Sequence, residues 1–102
     1  MASPVKTVKV EARTLFELAD AIDRALVIRR YPRQSNTFIC SFEHGETKNG
    51  ARDRFLLSEH GAGRTARAAM RDYATKIQGK LLVFGAYTQQ RKQFLVPDRL
   101  VL

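Results

Sequence analysis

The hydrophobic positions change period along the chain, and the changes mark the elements. Leu15, Leu18, Ala19, Ile22 and Leu26 recur at helical spacing, with Glu17, Asp20, Asp23 and Arg24 mostly on the other side. Thr14-Leu15-Phe16-Glu17 opens this run as a capping box, in which a threonine hydroxyl and a glutamate at the third helical position satisfy orphan backbone N–H groups. The pattern predicts a helix from about Thr14 to about Ala25. Ahead of it, Val5, Val8 and Val10 suit either a short edge strand or a frayed end. From Leu26 the residues become β-branched and aromatic. Leu26 to Tyr31 reads as a strand ended by Pro32, Arg33 to Asn36 as a turn, and Thr37 to Glu43 as the returning strand with period-two alternation.

The next segment, Gly45 to Gly50, is polar and reads as a loop whose Asn49-Gly50 pair signals a tight turn. Asp53 to Glu59, around Phe55-Leu56-Leu57, reads as a third strand that completes an antiparallel meander. Gly61-Ala62-Gly63 then breaks the strand pattern. Ala66, Ala69, Met70, Tyr73, Ala74 and Ile77 form a full amphipathic stripe, with Thr65 as N-cap and Gly79 as stop. Leu81 to Phe84 begins a fourth strand, Thr88 to Lys92 turns, and Phe94 to Val96 makes a fifth that Pro97 ends. The expected fold class is α+β, in the order α-β-β-β-α-β-β, with two helices on one face of one antiparallel sheet. Phe38, Phe42, Phe55 and Phe84 are spaced for its core. The fifth strand, close to the end of the sequence, would be an open edge and a seam for a homodimer.

Composition narrows the function. At 102 residues the chain has the usual size of one domain and can bury a core without staples. Residues 1–12 are a frayed segment or an edge strand of it. One cysteine, Cys40, allows no intramolecular disulfide, and with no signal-like apolar run at Met1–Lys6 it fits a reducing cytoplasm. No stretch is apolar enough for a membrane span. The charge is more informative. Eighteen Lys and Arg against ten Asp and Glu give +8, which favours polyanions through phosphate neutralisation and counterion release.

Reactive side chains form no catalytic or metal-binding set, so the sequence reads as non-enzymatic and without a cofactor. Cys40 and His44 would lie about 13 Å apart along a continued strand, beyond hydrogen-bond or shared-ligand reach. Cys40 alternates in phase with Phe38 and Phe42 and belongs to the core. Glu43 and Glu59, each beside a histidine (His44 and His60), read as solvated strand ends. The likeness of Ser41-Phe42-Glu43-His44-Gly45 to Leu57-Ser58-Glu59-His60-Gly61 extends no further and reads as shared strand-end chemistry. Gly61-Ala62-Gly63-Arg64-Thr65 lacks the spacing of a nucleotide-hydrolysing loop, although a glycine-rich approach to a helix can cradle phosphate. Arg64, Arg67 and Arg71 recur at i, i+3 and i+7 as a basic stripe facing away from the apolar one. The expected site therefore comprises Arg64, Arg67 and Arg71, with Gly61 and Gly63 admitting a phosphate and Arg29, Arg30 and Arg33 extending the footprint. The partner would be duplex RNA or DNA, read by charge and shape. The alternative is an acidic protein, with Tyr31, Tyr87 or Phe94 as aromatic anchors.

Gly61, Gly63, Thr65, Arg67 and Ala69, behind a helix and three strands, resemble the double-stranded-RNA-binding domain over residues 14–78. That family opens its second helix with Gly-x-Gly-x-Ser-Lys-Lys-x-Ala-Lys. Here Ala66 and Met70 stand where its first and last lysines would be. The resemblance implies contact between this helix end and duplex phosphates. Over more of the chain, Gly63-x-Thr65, Ala69, Tyr73-Ala74, Ile77, Gly79-Lys80, Leu82-Val83 and Val96-Pro97 resemble a type of short tailed-bacteriophage protein with no attached activity. That likeness implies a protein acting by binding in the host cytoplasm, as an inhibitor or adaptor of a host or anti-phage defence protein.

Overall fold

The first helix begins where the capping box predicts. In the computed structural model, which describes residues 6–31, 33, 36–49 and 55–102, the Thr14 hydroxyl accepts from the Glu17 N–H at 3.1 Å. The Glu17 carboxylate in turn accepts from the Arg13 N–H at 2.9 Å. Helix α1 (Leu15–Ile22) stops earlier than its apolar spacing suggests, because Asp23 turns left-handed (φ 53°) and donates its N–H back to the Ala19 and Asp20 carbonyls. Leu26, which fits the helical period, instead opens a strand. Helix α2 (Ala66–Ile77) has Thr65 as N-cap, its hydroxyl accepting from the Ala68 N–H at 3.0 Å, and Gly79 follows the helix at φ 69°. Its stripe of Ala69, Tyr73, Ala74 and Ile77 is buried as expected.

The fold class is α+β, with two helices and seven strands among the described residues, but the strands divide into two sheets. Strands β1 (Thr7–Lys9), β4 (Gly45–Lys48), β6 (Leu81–Phe84) and β7 (Lys92–Leu95) form one, in the order β1-β7-β6-β4. Strands β2 (Leu26–Tyr31), β3 (Thr37–Phe42) and β5 (Gly61–Gly63) form the other, in the order β2-β3-β5. The expected single antiparallel sheet is thus corrected, and β1 even joins β7 in parallel. The reason lies in the segment taken for a polar loop. After β3 the chain turns at His44 (φ 58°), and Gly45–Lys48 pairs with β6 rather than with β3. Its side chains are polar, yet Thr47 is fully buried. The backbone pairing, not hydrophobicity, makes it a strand.

Four further expectations change. The third meander strand is not formed over residues 55–59, where a lone bridge joins Leu57 to Thr47; Asp53 lies outside the described residues, as does Gly50 of the Asn-Gly turn. Phe55 is 74% exposed, so it is no core residue. Gly61–Gly63 does not break a strand but is one, the third of the small sheet. Finally, β7 is paired on both sides, with β6 and β1, so it offers no open seam for a dimer. Of the N-terminal valines, Val8 lies in that covering strand, Val10 just after it, and Val5 outside the described residues. Strands β2, β3 and β5 still form a three-stranded antiparallel sheet, with β4 interposed in the chain and paired elsewhere.

One core serves both sheets. Leu15, Leu18 and Ile22 of α1, Cys40 and Phe42 of β3, Ala69, Tyr73 and Ile77 of α2, and Leu82 and Phe84 of β6 belong to a single buried cluster. Phe42 stands at its centre, edge-on to Tyr73 (5.8 Å between centroids) and to Phe84 (6.2 Å).

Candidate nucleic-acid interface

Packing on α2 decides what each side of the small sheet presents. Phe38, Cys40 and Phe42 point inward; opposite them stand Gly63 and Gly61 on β5 and Arg30, Ile28 and Leu26 on β2. A β-carbon on Gly61 would collide with the Ala69 carbonyl oxygen and the Tyr73 nitrogen, and one on Gly63 would lie 2.6 Å from the Ala68 β-carbon. The glycines therefore let β5 lie directly on α2, and the space beside them is filled by the helix. The Ala62 N–H, on the outer edge of β5, donates to the Asp72 carboxylate at 2.9 Å. Alternation then turns the Gly61 and Gly63 N–H groups toward β3. Neither glycine has the freedom to cradle a phosphate that the sequence suggests.

The arginine stripe is placed as expected. Arg67 and Arg71 lie on the solvent face of α2, Arg64 just precedes its cap, and all three are exposed. Among the described residues none of them forms an ion pair. The one acid on the helix, Asp72, is occupied by Ala62 and by Lys76 at 2.9 Å. Partial burial pushes its carboxyl pKa up, but the Ala62 N–H and the Lys76 ammonium outweigh that and hold it below the usual range. Register divides the other arginines. Arg30 shares the α2 side with Phe38, and its guanidinium donates to the Asn36 side chain at 2.9 Å. Arg29 pairs with Ile39 and points to the opposite face. Arg33 is exposed. The sheet thus separates Arg29 from the α2 stripe.

On that opposite face lies a cleft of about 580 Å³, which the sequence did not reveal. Its floor is the outer face of the small sheet, with Arg29, Tyr31 and Ser41. Its walls are the turn around His44, the segment Ser58–His60 and the β6–β7 turn with Tyr87. Parts of both look-alike segments, read from the sequence as shared strand-end chemistry, line it: His44 and Gly45 from one, Glu59 and His60 from the other. Tyr87 is 90% exposed and Tyr31 40%, whereas Phe94 packs on Phe84 at 6.0 Å and is no surface anchor. Glu59 is held by Lys80 at 2.8 Å and by the Thr47 hydroxyl at 2.9 Å, so its charge is already compensated. His44 lies 3.8 Å from Glu43, with both side chains largely in solvent.

Cys40 lies in the core, away from both surfaces, and burial pushes its thiol up to about 11. A thiol held protonated is a poor nucleophile and ligand. Among the described residues no three His, Cys, Asp or Glu side chains come together as a metal set, and no helix is long and apolar enough to cross a membrane. No known protein family, curated protein or solved structure matches this chain.

Proposed function

We propose that the protein is a non-catalytic nucleic-acid-binding module that grips the phosphate backbone of a duplex through α2. The observation that supports this is the set of three exposed guanidinium groups at the start of α2, Arg64, Arg67 and Arg71, which form no ion pair among the described residues, beside a helix whose one acid is already engaged. Each arginine offers a planar fork suited to phosphate oxygens. Cations in the first turns of a helix oppose its dipole, a local cost that a bound phosphate relieves. Arg30 lies on the same side of the small sheet and extends the footprint, while Arg29 falls outside it. The net charge of +8 supplies long-range attraction. Contacts of this kind position a duplex without reading its bases, so binding depends on charge and shape.

The test is a salt titration against duplex RNA and duplex DNA. Replacing Arg64, Arg67 and Arg71 together with glutamine weakens binding and reduces the magnitude of the log–log salt slope by up to about 3, for three lost phosphate contacts. Asp20→Asn, on the exposed side of α1, changes neither. An unchanged slope in the triple variant removes α2 as the site, and no duplex binding by the parent at low salt removes the reading. In that case an acidic host protein retained from nuclease-treated lysate would favour the inhibitor or adaptor reading instead.

A further inference from the structure

The α2 surface leaves the cleft on the far side of the small sheet unused, and its chemistry differs. Arginines dominate α2. The cleft combines two exposed aromatic rings with one guanidinium, two imidazoles, the hydroxyls of Ser41, Ser58 and Thr88, and the carboxylates of Glu46 and Glu59. Tyr87, 90% exposed at the β6–β7 turn, presents an aromatic face open to stacking by a ligand. Tyr31 and Arg29 stand two residues apart on one face of β2, which spaces their Cα atoms about 7 Å apart along the strand. Ring beside cation is the arrangement that holds single-stranded nucleic acid, the base on the aromatic and the phosphate on the charge. The volume lies within the about 300–1,000 Å³ of small-ligand clefts.

We propose that this cleft binds an unpaired nucleotide of a single strand, with its base against Tyr31 and Tyr87 and its phosphate on Arg29, assisted by His44 and His60. The inference shares only its class of ligand with the proposed function and stands on a different face. Glu46, half-buried at the start of β4, adds a preference. A carboxylate only accepts hydrogen bonds, so it suits a base with an exocyclic amino group, such as cytosine, and opposes the carbonyl that thymine presents at the same position. Glu59 does not compete, because Lys80 and Thr47 hold its oxygens.

The experiment uses the full chain, isotope-labelled, titrated at low salt with the trinucleotides of deoxycytidine and of deoxythymidine while amide shifts are followed by NMR. The expected result is shifts at Tyr31, Ser41, His44, His60 and Tyr87, with the cytidine trinucleotide the tighter ligand. Tyr87→Ala, at an exposed turn where folding is not at stake, lowers the affinity by about five- to a hundredfold, the loss of one stacked base. Glu46→Gln, able to donate as well as accept, brings the two trinucleotides to equal affinity. Cleft shifts without an effect of Tyr87→Ala overturn the stacked geometry, and shifts confined to Arg64–Arg71 overturn the cleft while leaving the α2 reading intact. Cleft shifts alongside a failed duplex titration uphold this inference and remove the other. No shifts with either trinucleotide overturn it outright.

Discussion

Tyr73 shows how one side chain joins the two layers. Its ring is fully buried, its edge meets Phe42, and its hydroxyl accepts from the Phe42 N–H at 3.1 Å. Burial pushes the phenol up to about 12, against a smaller opposing effect of that hydrogen bond. The folded protein therefore keeps a proton that the unfolded chain releases near pH 10. Its stabilisation is full below about pH 10 and is lost as pH rises toward 12. Cys40 acts in the same direction from about pH 9 to 11. Tyr73→Phe leaves the Phe42 N–H unpaired in the core and is expected to cost about 1–3 kcal/mol at neutral pH. It also shrinks the alkaline loss, because the phenol that would have ionised is gone. Urea unfolding of both proteins at pH 7 and pH 11 checks the pair of effects; an equal alkaline loss in the variant would refute the assignment.

Among the elements, the contact of β5 with α2 depends most on what is missing. A three-residue strand holds its place because two glycines let it rest on the helix backbone and because Asp72 receives its outer N–H. The same glycines read in the sequence as a strand breaker and a phosphate cradle. Gly61→Ala forces a methyl group into the Ala69 and Tyr73 backbone, which no side-chain rotation relieves, so it is expected to cost about 3 kcal/mol or more. Gly63→Ala meets the Ala68 β-carbon at 2.6 Å and is the milder of the two. Chemical denaturation of both variants measures the order, and a Gly61→Ala protein as stable as the parent would contradict the packing described.

At the level of the molecule, one buried cluster spans both sheets and both helices, and the Cα radius of gyration of 13.8 Å is close to the about 13 Å of a 100-residue domain. Two sheets do not make two folding units when Phe42 of one touches Phe84 of the other. Thermal unfolding is therefore expected as one cooperative transition, with far-ultraviolet circular dichroism and tyrosine fluorescence coinciding. Separate transitions would show that the sheets fold independently. The same compactness separates the two basic surfaces: alternation along β2 sends Arg30 to the α2 side and Arg29 to the cleft.

What the sequence determined by itself is local. Thr14 with Glu17 and Thr65 with Gly79 announce both helices, because a cap is made within a few residues of the chain. The apolar periods announce β2, β3 and β6, and the arginine stripe follows directly from helical geometry. Only the tertiary structure decided the rest. Gly45–Lys48 has no apolar alternation, and it becomes a strand because β6, far later in the chain, offers it an edge. Leu57, apolar enough for a strand, forms an isolated bridge with Thr47 instead. The cleft needs His44 and His60, sixteen positions apart, brought together with Tyr31 and Tyr87. Such long-range pairings satisfy backbone hydrogen bonds and bury a shared core, and neither of these requirements leaves a period in the sequence.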